Sequence, residues 1–383
     1  MSNPIRDAQS LGQSIWYDNV SRGLLSSGEL DRLIELGVRG VTSNPTIFER
    51  SIGGSADYDE ALETLARAGT SIRDIYEALV LADIRAAADA LHPIYQDSSG
   101  LDGYVSLEVS PALAQDTEGT IDEAKRLFAE LGRPNVMIKV PATPQGIPAV
   151  RSLISQGVNV NVTLIFSLEM YRQVMEAYIE GLEELARRGG DLSRVASVAS
   201  FFVSRVDTLV DALLEEKVRH GDPNAQELMG KAAVANAKLA YQSCKEVFGT
   251  ERFATLEAMG GRLQRPLWAS TSTKNPAYSD LLYVEPLIGP NTVNTVPDAT
   301  LEAMLAHGTA ASTLEQGVDD AQADIKALEE AGISMAQVTA KLLADGVKAF
   351  ADSYDKLLVN IAEKREVLLS QSRDHTAAAT KES

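Results

Sequence analysis

The sequence predicts a (β/α)8 barrel with additional helices at its C-terminal end. Three observations lead there. Short β-branched runs alternate with longer helix-period stretches almost from end to end, eight such runs can be counted, and several of them alternate apolar with polar side chains. The runs are 14–19, 40–44, 103–109, 135–140, 158–166, 195–202, 266–270 and 281–284. Between them lie stretches such as Ile72, Ile75, Leu79, Ala82 and Ala86, whose gaps of three and four put them on one helix face. Alternation alone also fits a half-exposed antiparallel sheet. The long helical connections argue for parallel crossovers, which cover the outside of a sheet with apolar contacts and turn the polar set into a barrel.

Taken in order, the first run reaches Asp18, and the second ends at Asn44, held extended by Pro45. In the third, Val105, Leu107 and Val109 oppose Ser106, Glu108 and Ser110. The fourth sets Val136, Ile138 and Val140 against Met137 and Lys139, and the fifth sets Val158, Val160 and Val162 against Asn159, Asn161 and Thr163. The sixth carries Ser200 and Phe202 with Arg205 just beyond it, and the seventh ends at Ser270 with Lys274 on the following loop. The sixth and eighth runs have weak boundaries. Farther on, Leu343, Val347, Phe350, Tyr354, Leu357 and Ile361 trace a long amphipathic helix expected to pack across the barrel. The organisation expected is a barrel over 1–305, a helical extension of the same domain over 306–369, and a small, polar, disordered tail over 370–383. There is no internal repeat.

Composition narrows the function. With 383 residues and 45% apolar content the chain can build one large core, and its single cysteine, Cys244, rules out an internal disulfide framework and fits a reducing compartment. The N-terminus lacks a signal pattern and no apolar run is long enough to span a bilayer, so the expected place is the cytoplasm, with no membrane partner. A formal charge of −19 without a basic stripe argues against nucleic acid. An anionic substrate would therefore need local cations.

Strand parity brings Asp18, Asn44, Glu108, Lys139, Asn161, Thr163, Ser200 and Ser270 towards the C-terminal mouth, where such barrels work. A lysine buried among mostly neutral neighbours favours the free amine, the nucleophile that a Schiff base with a carbonyl requires. A structural ion pair with Glu108 or Asp18 is the competing reading. Asp18 and Glu108 read equally as acid/base groups or as structural acceptors, and Asn44 as a turn residue. The four histidines are scattered, no Cys–His spacing suits a metal, and no phosphate-binding glycine loop or Ser/His/Asp arrangement appears, so the expectation is an enzyme without metal or cofactor.

The blocks WYDNVSRG, GVTSNPTIF, SLEVSP, IKVPAT, NVNVTLIFS, SFFVSR and LWASTSTKNP fall in that order at strand ends, from Trp16 to about Ala303. In them the chain resembles the transaldolases, and its length resembles their longer bacterial subgroup. The resemblance implies Lys139 as the Schiff-base lysine of a class I mechanism, and Asp18 as the acid/base at the C4 hydroxyl of the ketose. It implies Glu108 and Thr163 acting through a water in imine formation and hydrolysis. Asn44 and Asn161 would hold substrate hydroxyls, Ser200 and Phe202 would line the pocket, and Arg205 would approach the phosphate. The reaction implied moves a dihydroxyacetone unit from sedoheptulose 7-phosphate to glyceraldehyde 3-phosphate in the non-oxidative pentose phosphate pathway. Many relatives carry Ala-Ser-x-Arg-Asn after the seventh strand; here Ala269 to Asn275 forms a longer segment with Lys274 in place of arginine, and Ser270 and Lys274 are the phosphate candidates. A fructose 6-phosphate aldolase on the same scaffold and a non-catalytic sugar-phosphate sensor are the alternatives.

Overall fold

The computed structural model describes residues 3–379. Eight parallel strands close into a barrel in sequence order: β1 (Gln13–Tyr17), β2 (Gly40–Thr42), β3 (Tyr104–Glu108), β4 (Val136–Pro141), β5 (Val160–Ile165), β6 (Ser197–Phe202), β7 (Arg265–Ala269) and β8 (Thr292–Val296). Helices fill the crossovers, as the (β/α)8 expectation requires. Seven of the expected runs coincide with strands.

The eighth does not. Residues 281–284 form turns leading into a short 3-10 helix, and the closing strand lies at Thr292–Val296, where it pairs with β1 from Gln13 opposite Thr292 to Tyr17 opposite Val296. A four-residue apolar run cannot be told from any other buried segment by periodicity. Leu281, Tyr283 and Val284 are indeed buried, as loop anchors. The Gly289-Pro290-Asn291 turn followed by a stretch rich in β-branched residues, Thr292, Val293, Thr295 and Val296, was the better strand signal. The helix Ile72–Asp97 needs a second correction. Ile75 and Leu79 are buried, but Ala82 and Ala86 face solvent, and the buried stripe continues through Asp83, Ile84, Ala87 and Leu91. Asp83 owes its place there to Arg22 and Tyr58, which both donate to its carboxylate; sequence periodicity had no reason to count it as inward.

A buried polar cluster sits beneath the catalytic end. Ser14 Oγ and Trp16 Nε1 donate to Asp102, and Arg265 donates to both Asp102 and Ser14, tying β1, β7 and the segment before β3 together. Trp16 fits because β2 begins with glycine: a Cβ on Gly40 would stand 2.6 Å from the indole ring.

The long helix Met335–Ala379 lies across the mouth as expected, with Phe350, Leu357 and Ile361 buried. It can approach closely because position 346 is glycine: a Cβ there would lie 2.9 Å from Leu164 Cδ2. Leu164 itself adopts a left-handed backbone at φ 60°, in a register shift between Val162 and Ile165 of β5. Lys356 pairs with Glu49, and Lys364 with Asp59, strapping this helix to the segments after β2. The helix reaches into the segment 370–383 expected to be irregular, whose last residues, 380–383, lie outside those described. No helix among the described residues is long and apolar enough to cross a membrane.

Gly40→Ala should destabilise the fold by roughly 1–3 kcal/mol, the usual cost of overpacking. Gly54→Ala, at a position with open space around it, should be neutral within about 0.5 kcal/mol, as is usual for surface changes. Denaturant midpoints of the two variants check this.

Candidate active site

Register does most of the assembly. Glu108 of β3 lies opposite Lys139 of β4, and Lys139 opposite Asn161 of β5, so three polar side chains from adjacent strands share one level. Thr163 lies two residues further towards the mouth, opposite Pro141. Above them opens a cavity of about 270 Å³, lined in part by Asp18, Asn44, Lys139, Thr163, Ser200 and Phe202. Arg205, Ser270 and Lys274 line its other side.

Lys139 is 5% exposed, and its Nζ donates to the Ser43 carbonyl at 3.0 Å. Its nearest carboxylate oxygen, Glu108 Oε2, is 3.9 Å away, beyond hydrogen-bond reach. The two therefore form a loose ion pair without a hydrogen bond. Glu108 Oε2 and Thr163 Oγ1 are both buried without a hydrogen-bond partner. Burial pushes the Glu108 carboxyl up to about 7, against the pull of Lys139 and with a push from Asp18. Asp18 is raised as well, first by burial; Lys139, the Thr42 hydrogen bond and Arg205 oppose the rise. The Thr42 hydroxyl donates to Asp18 at 2.6 Å and meets the Thr295 hydroxyl at 2.7 Å, which fixes the carboxylate from two further strands.

The other expected residues divide. Asn44 lines the cavity while its Oδ1 caps the helix Pro45–Gly54 through the Ile47 amide, so it keeps its turn role and leaves its NH2 group for a ligand. Asn161 lies behind the cavity wall, donating to Ser106 Oγ and accepting from Ser200 Oγ, so it acts on the cavity through Ser200. Glu108 also lies behind the wall. Arg205 stacks over Phe202, 5.1 Å from the ring centroid. Ser270 holds a left-handed backbone at φ 56° and shares a hydrogen bond with Ser204. Lys274 donates to Ser272 Oγ and has no carboxylate partner among the described residues.

The loop bearing Lys274 is held by two tyrosines. Tyr278 donates to Asp211 at 2.8 Å and Tyr283 to Asp207 at 3.0 Å. Both aspartates belong to the helix Ser204–Arg219, which also carries Arg205. The two phosphate candidates therefore stand on one connected unit. Sequence reasoning missed Arg50, Thr42, Thr295 and Phe350, which also line the cavity. Arg50 stands three residues after Ile47 on one helix face, a spacing visible in the sequence. Thr295 was hidden by the misplaced eighth strand. Besides Lys139, three basic side chains (Arg50, Arg205 and Lys274) and one carboxyl group line the cavity, in a chain whose net charge is −19.

A family model described as Transaldolase/Fructose-6-phosphate aldolase matches residues 15–361. The chain belongs to this transaldolase family. Relatives agree along nearly their whole lengths. The transaldolase of Trichodesmium erythraeum is 46% identical over 372 residues, covering 95% of this chain and 98% of its own. That of Thiobacillus denitrificans is 50% identical over 360 residues, covering 94% and 99%. That of Saccharopolyspora erythraea is 50% identical over 355 residues, covering 92% and 95%. The matched span takes in all seven blocks and the part of the long helix that supplies Phe350, so this helix is part of the transaldolase-family enzyme.

Because Glu108 holds its proton more tightly in the folded protein than at the ordinary carboxyl value of 4.5, ionising it costs stability. That stability is fully present below pH 4.5 and is lost as pH rises through about 7. Glu108→Gln should accordingly gain on the parent protein across that window, by roughly 3 kcal/mol above pH 7. Urea unfolding of both proteins from pH 4.5 to 8 would show the difference opening with pH.

Proposed function

We propose that the chain transfers a dihydroxyacetone unit from a ketose phosphate to an aldose phosphate through a Schiff base on Lys139. The observation that carries this reading is the buried amine on the cavity floor, hydrogen-bonded to a backbone carbonyl and flanked by two carboxyl groups raised by burial. The free amine attacks the ketose carbonyl. Glu108, which exchanges its proton near neutrality, and Thr163 act through a water in losing and regaining the carbonyl oxygen. Asp18, held by Thr42, takes the proton from the C4 hydroxyl as C3–C4 breaks. The iminium accepts the electrons left by that cleavage, so the chemistry calls on no metal or separate cofactor. The retained three-carbon enamine then attacks the acceptor aldehyde and hydrolysis frees the product.

Sedoheptulose 7-phosphate as donor and glyceraldehyde 3-phosphate as acceptor would place the reaction in the non-oxidative pentose phosphate pathway, in the cytoplasm. Asn44 would hold a hydroxyl of the three-carbon unit, with Asn161 supporting from behind through Ser200. Arg205 and Lys274, with Ser270, would seat the phosphate, and Arg50 adds a further cation at the mouth. An aldolase releasing free dihydroxyacetone is the second reading, because the family's own description includes it. The relatives named above are transaldolases, which favours transfer.

Incubation with fructose 6-phosphate followed by borohydride should add one three-carbon unit or ketose to the protein. Lys139→Ala should lose both the adduct and turnover while remaining folded. Asp18→Ala should keep the ketose adduct but cleave C3–C4 roughly 10²- to 10⁴-fold more slowly, the usual worth of a positioned acid/base. An adduct on another lysine, or its loss in Asp18→Ala, would contradict these roles. Accumulation of free dihydroxyacetone in step with fructose 6-phosphate consumption, with an acceptor aldehyde present, would select the aldolase.

Arg205→Ala and Lys274→Ala should each raise KM for phosphorylated substrates by about 1.5–3 kcal/mol, the worth of a hydrogen bond to a charged group. The slow reaction with unphosphorylated ketoses should hardly change. Steady-state kinetics with both substrate types would distinguish a phosphate seat from a structural role, for which the losses would be equal.

A further inference from the structure

Glu108 stands between two cavities. It lies behind the wall of the substrate cavity, yet it lines a second one of about 360 Å³ on the other side of β3. This second space is bounded by the helix Ile72–Asp97 through Tyr76 and Leu81, by Leu107 of β3, and by Tyr354 of the long C-terminal helix. Tyr76 and Tyr354 meet edge to face, with centroids 5.3 Å apart. Near its other end Glu123 accepts from the Ser110 amide, and Ala112 is exposed at the rim. The buried, unpartnered oxygen of Glu108 is the same atom that approaches Lys139.

We propose that this second cavity is the route by which water reaches and leaves Glu108 during imine formation and hydrolysis. The inference rests on the assignment of Lys139 as the Schiff-base lysine. Attack of the amine forms the C–N bond and turns the carbonyl into a hydroxyl. The C–O bond then breaks, the oxygen departs with a proton from the Glu108 carboxyl as one molecule of water, and the iminium remains. Hydrolysis runs the same steps backwards and consumes one water. A bound ketose phosphate stands between Glu108 and the front mouth, so water passing that way must cross the substrate. The rear cavity reaches the same carboxyl without doing so.

Ala112→Cys provides the test. The only native cysteine, Cys244, is buried, so a benzyl methanethiosulfonate reagent should label the folded protein at the rim alone and plug the cavity, reversibly with dithiothreitol. The measurement is enzyme-dependent exchange of the fructose 6-phosphate C2 oxygen with ¹⁸O-water, corrected for spontaneous exchange. Labelling, confirmed by mass, should slow the exchange at least tenfold, leave KM within about twofold of the unlabelled value, and be undone by the reductant. Exchange at the unlabelled rate in fully labelled protein would overturn the route. A matching loss of ketose binding would also overturn it, because the label would then be acting on the barrel itself. Absence of both borohydride adduct and oxygen exchange before labelling would instead overturn the Lys139 assignment.

Discussion

The site depends on a carboxyl group and an amine held 3.9 Å apart in a buried barrel without bonding to each other. Two full charges at that separation attract by on the order of 4 kcal/mol in an effective dielectric of 20, while taking a carboxylate out of water costs several kcal/mol. Burial is the larger effect on Glu108, which is why its carboxyl is pushed up to about 7 despite the neighbouring lysine. A hydrogen-bonded pair would have locked both groups into their charged forms. The carbonyl of Ser43 prevents this by giving Lys139 a neutral partner. The same separation leaves a carboxyl that can give and take a proton near neutrality, as the proposed mechanism requires.

The remaining features keep that arrangement in place and bring an anion to it. The chain is acidic overall, yet besides Lys139 its cavity lining gathers three basic side chains, from the helix after β2, the helix after β6 and the loop after β7. The loop after β7 is held to the helix carrying Arg205 by the Tyr278–Asp211 and Tyr283–Asp207 bonds. Below, the Trp16, Asp102 and Arg265 cluster joins three parts of the barrel wall, and glycine at position 40 leaves room for the indole. Across the top, the C-terminal helix closes down on Leu164 through Gly346 and supplies Phe350 to the substrate cavity and Tyr354 to the second one.

Much of this was legible in the sequence because a strand has period two and a barrel has one inside. Alternation, together with the long helical connections, placed Lys139, Glu108 and Thr163 on the inner set, and the register of β3, β4 and β5 brings them to one end. What failed, failed for definable reasons. The short apolar run ending at Val284 looked like a strand because periodicity cannot separate a buried loop anchor from a strand of four residues, and with the true β8 went Thr295. On the helix Ile72–Asp97, small alanines were weighted as core while Asp83, satisfied by two distant donors, was not. That Asn161 stands behind Ser200, and that Glu108 faces two cavities, are facts of depth; a linear pattern records which face a side chain takes but not what lies between it and the ligand.

The protonation state of Glu108 beside Lys139 tests the account most directly. Difference infrared spectroscopy of the unliganded protein against Glu108→Gln, with ¹³C-labelled glutamate, isolates the carboxyl band of this one residue. A protonated band that converts to carboxylate as pH rises through about 7 is the expected result. A carboxylate band persisting down to the ordinary range near 4.5 would make the pair a buried salt bridge and would contradict the account at its centre.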